Sequence, residues 1–174
     1  VTTVTTQLEG RRLGSFVVES LLGKGGMGSV WRGQDTALQR AVAIKTLSSD
    51  IAADPHYVER FVREARTAAR LNHPNVVQVY GAGTDDGVVF MALELVEGGS
   101  LAGLVERLRP FPIRRACEIC RDAARGLAAA HALNVVHRDL KPDNILLMRV
   151  GDDPDYAKLL DFGVAKLMEG AAVS

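Results

Sequence analysis

The sequence predicts an α+β protein of two lobes. Three observations predict it: short β-type segments with a single helix among them fill the first half, longer helical segments follow Gly98-Gly99, and two last β-type pieces are joined by the turn-forming Gly151-Asp152-Asp153-Pro154-Asp155. The chain has 174 residues, 47% apolar and 24% charged, enough to bury a core of ordinary size. Lys plus Arg and Asp plus Glu each number 21, so the formal charge is zero, which disfavours a protein that grips nucleic acid by bulk charge. The longest apolar run, 88–93, stops at Glu94, far short of the ~18–20 residues of a membrane span. The start, Val1-Thr2-Thr3-Val4-Thr5-Thr6, lacks the basic patch and apolar core of a secretory signal. Two cysteines are too few for a disulfide framework and fit a reducing compartment. These features predict a cytoplasmic location, no membrane segment in this chain and no nucleic-acid partner.

Residues 1–12 read as a tail. Strands are expected at 16–22, 29–32, 41–45, 76–80 and 88–95, with turn residues such as Gly33-Gln34-Asp35 and Asp85-Asp86-Gly87 between them. One helix interrupts this series. Asp54 suits its N-cap, Pro55 its first turn, and His73-Pro74 its end. Its inward stripe is Tyr57, Phe61, Ala65, Ala68 and Leu71. Helices are expected at 100–108 and 113–133, the second with Ile113, Ala116, Cys120, Ala124, Leu127 and Ala128 as its apolar or small face, and strands at 145–148 and 157–160. The chain thus divides into a tail (1–12), a strand-rich lobe (13–97) and a helical lobe (98–174).

Residues Gly23-Lys24-Gly25-Gly26-Met27-Gly28-Ser29-Val30 match G-x-G-x-x-G-x-V. Glycines also serve ordinary hairpins, so the triplet gains meaning only from its surroundings. A dinucleotide fold needs the glycines to open a helix, and here they lead into a β-type segment. A P-loop needs Lys then Ser or Thr after the last glycine, which Ser29-Val30 does not supply. A strand–turn–strand flap remains, in which missing side chains let backbone N–H groups approach an anion. Ala41-Val42-Ala43-Ile44-Lys45 alternates with period two. Ala41, Ala43 and Lys45 share a face that leaves room for a flat ligand with a cation at its far end. A lysine on an edge strand facing water is the plain alternative. Against it stands Glu64, which falls on the inward stripe of the first helix, where a carboxylate is costly unless paired. Lys45 is a fitting partner, whereas Glu59 reads as an ordinary solvated charge.

The densest signal is His137-Arg138-Asp139-Leu140-Lys141-Pro142-Asp143-Asn144, followed by Asp161-Phe162-Gly163. Asn144 and Asp161 carry oxygen donors of the kind Mg²⁺ accepts. Asp139 can accept a hydroxyl proton, and Lys141 can neutralise charge on a transferring phosphoryl group.

With these motifs in this order the sequence resembles the protein-kinase family over residues 13–166. Glu64 follows Lys45 by 19 positions, a usual interval there, and Lys141 within H-R-D-L-K-P points to the serine/threonine branch. The texture around 23–30 and 63–65 is similar to the eukaryotic-like Ser/Thr kinases of bacteria. The resemblance implies ATP and Mg²⁺ as cofactors and a protein substrate with a Ser or Thr acceptor. It implies that Lys45, held by Glu64, contacts the α- and β-phosphates, that Asp139 is the catalytic base and that Lys141 touches the γ-phosphate. By the same resemblance Asn144 and Asp161 would hold the metal. Leu22, Gly23, Gly25 and Gly28 cover the nucleotide, Val30, Ala43 and Leu146 sandwich its ring, and Glu94 C=O with Val96 N–H read the adenine. Arg138 beside Asp139 suggests switching by activation-loop phosphorylation.

The family continues past the activation segment into further helices, so the resemblance implies a complete N-lobe and only the first part of a C-lobe. The expectation is that this chain alone is weakly active or inactive, and a non-catalytic, pseudokinase-like nucleotide binder is the alternative. A small-molecule phosphotransferase of related fold is disfavoured by the glycine triplet and Lys141. Plainer roles suffice elsewhere. Cys117 and Cys120 read as core residues rather than a redox or zinc pair, and His137 as a packed structural residue. His56, His73 and His131 lack metal-ligand spacing. Asp152, Asp153 and Asp155 read as a solvated turn, and Arg114-Arg115 as a helix face.

Overall fold

The computed structural model of the chain describes residues 8–161. Residues 1–7 of the expected tail, and Phe162 and Gly163 with all that follows them, lie outside the described residues. The chain forms two compact units, one made of the residues up to Ala69 with Val79–Leu95, the other of Arg70–Gln78 with the residues from Val96 onward.

The first unit is built on a six-stranded antiparallel sheet. Its strands are β1 (Arg12–Leu13), β2 (Phe16–Gly25), β3 (Gly28–Asp35), β4 (Arg40–Leu47), β5 (Val79–Asp85) and β6 (Val88–Glu94), in the order β1-β2-β3-β4-β6-β5. Alternation decides the faces: Trp31 sits opposite Ile44, and Ile44 opposite Ala92. These side chains join Leu13, Phe16, Val18, Val42 and Phe90 in one buried cluster, with the rings of Phe16 and Phe90 edge to face at 6.1 Å. The β5–β6 hairpin turns through Asp86 (φ 44°) and Gly87 (φ 76°), the left-handed pair that an Asp-Gly turn favours.

Residues 8–12, the described part of the expected tail, make contacts with the sheet. Gly10 N–H donates to Val18 O, Val18 N–H to Arg11 O, and Arg11 reaches the Asp86 carboxylate at 3.3 Å. Gly14 N–H donates to Asp85 Oδ2 at 2.7 Å, so the first strand is fastened to the β5–β6 turn. A short helix α1 (Ser49–Ala52), which the sequence did not announce, precedes α2 (Pro55–Ala68). Asp54 caps α2 as its chemistry predicts, accepting from His56 N–H at 2.9 Å, and Phe61 and Ala65 of the expected stripe are buried. The helix stops at Ala68, short of His73-Pro74.

The reason lies in the second unit, which claims residues 70–78. Leu71 and Val76 join its core, Val77 N–H donates to Leu159 O, Leu159 N–H to Asn75 O, and Asn75 Nδ2 to Ala157 O at 2.8 Å. The strand expected at 76–80 therefore begins at Val79, and Val76 makes only a single bridge with Leu159. The remaining elements are α3 (Leu101–Arg107), α4 (Ile113–Ala132), a 3-10 turn (Pro142–Asn144) and the hairpin β7 (Ile145–Val150)–β8 (Asp153–Leu159). Ser100 caps α3 by accepting from Gly103 N–H. Gly98 and Gly126 are obligatory by close approach: a Cβ on Gly98 would lie 1.7 Å from Leu147 O, and one on Gly126 2.8 Å from Asn75 O.

Two expectations fail on α4. Its buried face is Ile119, Asp122, Ala123, Gly126 and Ala130, while Ile113 is 82% exposed. Cys117 and Cys120 are both exposed, so neither is a core residue. In an alanine-rich helix the small residues fit either phase, and packing, not composition, selects it. The second failure is Asp155, whose side chain is only 11% exposed and accepts a two-pronged bond from Arg115, one prong of 2.7 Å from Nη2 to Oδ1. It is a clamp between hairpin and helix rather than a solvated turn residue. Among the described residues no helix is long and apolar enough to cross a membrane.

Candidate active site

In the first unit, the β2–β3 hairpin carries the glycine motif, with Gly23 opposite Val30 and Gly25 opposite Gly28. The four glycines of this hairpin are not equivalent. A Cβ at Gly23, Gly25 or Gly26 would meet nothing within 4 Å, and none of these residues has a left-handed φ. A Cβ at Gly28 would lie 1.8 Å from Thr46 O. Packing therefore demands glycine only at Gly28; the bare surface of the other three faces outward, where an approaching ligand would meet backbone. Leu22, beside them, is 51% exposed.

Register sets Val30 opposite Lys45 and Ala43 opposite Leu93, on the face of the sheet opposite to the Trp31–Ile44 cluster. Glu94 ends β6 opposite Val42, and Val96 lies just beyond that strand. Glu64 is on α2 with its side chain 16% exposed, and the Arg60 guanidinium approaches its Oε1 at 3.5 Å from one helical turn earlier. This i,i+4 pair is a contact of Glu64 beyond the Lys45 partner expected from the sequence. Glu59 is solvated as expected, paired with Arg63 at 3.0 Å.

In the second unit, the polar motif forms a compact loop. The Lys141 ammonium lies 3.0 Å from Asp139 Oδ2, and Asn144 Nδ2 donates to Asp139 O at 2.8 Å and to Oδ2 at 3.0 Å. Three consequences follow from these bonds. The amide of Asn144 is oriented by its two donated bonds, which leaves Oδ1 as its acceptor. Oδ2 of Asp139 is occupied by two donors, leaving Oδ1 for a third group. Finally, the hydrogen bond from Lys141 holds the Asp139 carboxyl below its ordinary 3.8, while Asp139 raises Lys141.

His137 is 2% exposed, and its Nε2–H donates to Leu160 O at 2.8 Å, bracing the loop against the end of β8. Burial is the main cause that lowers its pKa below 6.5, so it stays neutral; it is the packed structural residue the sequence suggests. Asn144 is tied in again by its carbonyl, which accepts from Leu160 N–H, and Leu146 follows on β7. Asp161 follows β8 with φ 57°, and Arg138 has φ 66°. Left-handed backbone at a non-glycine residue costs ~1–3 kcal/mol and collects at functional sites.

Residues 16–173 match the protein kinase domain family. The chain is 41% identical over 155 residues to serine/threonine-protein kinase pkn3 of Myxococcus xanthus, covering 88% of this chain and 28% of that protein. It is 39% identical over 166 residues to serine/threonine-protein kinase PknA of Mycobacterium tuberculosis, covering 92% of this chain and 38% of that protein. The crystal structure of the M. tuberculosis PknI kinase domain superposes with a TM-score of 0.76 at 32% identity, over 90% of this chain and 61% of that one. The chain thus spans well under half the length of these curated relatives and the first part of the solved domain. By motif, by fold and by descent, this chain belongs to the protein kinase domain family.

Proposed function

We propose that the protein transfers the γ-phosphoryl group of Mg-ATP to Ser or Thr hydroxyls of protein substrates. The observation that carries this reading is the Asp139–Lys141–Asn144 constellation, in which Lys141 and Asn144 each reach the Asp139 carboxylate at 3.0 Å and Asn144 also bonds the Asp139 carbonyl at 2.8 Å. Asp139 Oδ1 accepts the substrate hydroxyl. With its pKa held low, Asp139 is a weak base, so it orients the hydroxyl and receives the proton late, as suits a loose phosphoryl-transfer transition state. Lys141 supplies positive charge to the transferring group.

The residues present fit the cofactors. Asn144 Oδ1, already oriented, and the Asp161 carboxylate form an oxygen donor set suited to Mg²⁺. A divalent ion held by these two residues would supply positive charge to offset that of the phosphates. Gly23, Gly25 and Gly26 present open backbone for phosphates, with Gly28 fixing their hairpin and Leu22 beside them. Lys45, oriented by Glu64, takes the α- and β-phosphates. Val30, Ala43 and Leu146 give the ring apolar surface, and Glu94 and Val96 offer it backbone bonds. The names of pkn3 and PknA support the Ser/Thr assignment.

For the 174-residue chain by itself we propose slow transfer, since it aligns with 61% of the solved PknI domain. The test is titration of the purified chain with ATP, with and without Mg²⁺, alongside transfer to a generic Ser/Thr protein. Mg²⁺-dependent binding with slow transfer that falls further in Asp139→Asn is the expected result. A folded chain that ignores Mg-ATP overturns the reading, and a rate of ~1–100 s⁻¹ overturns the slow-transfer proposal. Binding with no transfer at all would favour the pseudokinase-like alternative.

A further inference from the structure

Cysteine is among the residue types most often buried, and an exposed one is seldom kept for packing. Here two stand in water on a single helix. Cys117 and Cys120 of α4 are free and exposed, beside a neighbour, Ile119, that is only 2% exposed and carries the helix into the core. Three residues apart, they lie on adjoining turns of one face, with Cβ atoms ~5–6 Å apart. That gap is too wide for a disulfide in an intact helix, which needs ~3.5–4.5 Å. It suits a different bridge. Metal–sulfur bonds of about 2.3 Å in tetrahedral geometry set two sulfurs nearly 4 Å apart, within reach of two inward-turned thiols.

The flanking carboxylates do not compete for such an ion. Glu118 accepts from Arg114 at 3.0 Å, and Asp122 is buried with Arg121 at 2.9 Å and Arg125 at 3.5 Å. Among the described residues no third His, Cys, Asp or Glu completes a cage. The pair is therefore an open, two-coordinate thiol ligand, which selects for soft ions that tolerate few protein donors.

We propose that Cys117 and Cys120 form a bidentate dithiol site on the outer face of α4 for a thiophilic ion, separate from the nucleotide chemistry. Phenylarsine oxide and Cd²⁺ serve as probes. With phenylarsine oxide, both S–H bonds and the arsenic–oxygen bond break and two As–S bonds form. The oxygen leaves as water with both protons, and the oxidation state of arsenic is unchanged. With Cd²⁺, the two thiols release two protons and each forms one Cd–S bond.

The reduced 174-residue chain is titrated with each probe, read by intact-protein mass and by thiolate-to-metal absorption. One phenylarsenic group and one saturating Cd²⁺ per chain are expected. Cys117→Ser and Cys120→Ser should each weaken binding ~10²–10⁴-fold, the loss of a chelate's effective concentration. The pair Cys117→Ala with Glu118→Cys keeps two thiols but sets them two apart, on diverging directions, and should weaken binding similarly. All these positions are solvent-facing or half-buried, and unchanged circular dichroism verifies the fold. Absence of either adduct in the wild-type chain, or wild-type affinity in a single-cysteine or shifted variant, overturns the proposal.

Discussion

Asp139 carries two demands that a single carboxylate can meet only because its neighbours divide them. Oδ2 is committed to Lys141 and Asn144, and Oδ1 is left for the hydroxyl. Asp139→Asn keeps the shape and removes the charge, so transfer should fall ~10²–10⁴-fold with nucleotide affinity within about threefold of wild type, measured by initial rates and titration. His137 makes a prediction in pH. Its folded-state pKa lies below its ordinary 6.5, so the unfolded chain binds the extra proton first. Its contribution to stability is therefore intact above pH 6.5 and shrinks as pH falls below it. Urea midpoints at pH 7.5 and 5.5 should differ in wild type, and His137→Gln, which cannot titrate, should lose that part of the difference. The motif residues were legible because their spacing is local and dense. That Arg60 attends Glu64 was legible too, from the i,i+4 step.

At the level of elements, the glycine hairpin separates folding from binding. Gly25→Ala adds a methyl to open space at a backbone conformation that alanine tolerates, so stability should hold or rise by ~0.4–1 kcal/mol while ATP affinity falls about tenfold. Gly28→Ala drives a Cβ into the Thr46 carbonyl and should cost ~2–4 kcal/mol. Thermal melts and nucleotide titrations of both variants check the pair; equal behaviour would mean that all the glycines serve the hairpin. Arg115→Ala leaves the largely buried Asp155 carboxylate without its cation and should destabilise by ~2–4 kcal/mol, read from denaturant midpoints. Strands and caps were legible where period two or a capping side chain marks them, as at 41–45 and Asp54. The face of α4 was not, because Ala116, Ala123, Ala124 and Ala128 make several phases equally plausible, and only contact with Asn75 and Leu159 selects the one that buries Gly126.

For the molecule as a whole, two buried clusters among the described residues share no residue: one gathers around Trp31 and Ile44, the other around Ile119, Leu147 and Leu159. Trp31 is the single tryptophan of the sequence, so its fluorescence reports the first cluster directly. Ile119→Ala should cost ~2–5 kcal/mol in the second unit and lower the far-ultraviolet transition more than the Trp31 fluorescence transition. A common midpoint shift in both signals would show that the cores unfold as one. By itself the sequence determined the order of the main elements, though not β1 or α1, and the chemical motifs and their family, since these depend on residue type at short spacing. Tertiary structure alone decided that residues 70–78 leave the helix for the second unit, that Asp155 is clamped, and that Cys117 and Cys120 face water. Each of these turns on which distant backbone a segment meets, as when Asn75 bonds Ala157, and no local periodicity encodes a contact across 82 positions.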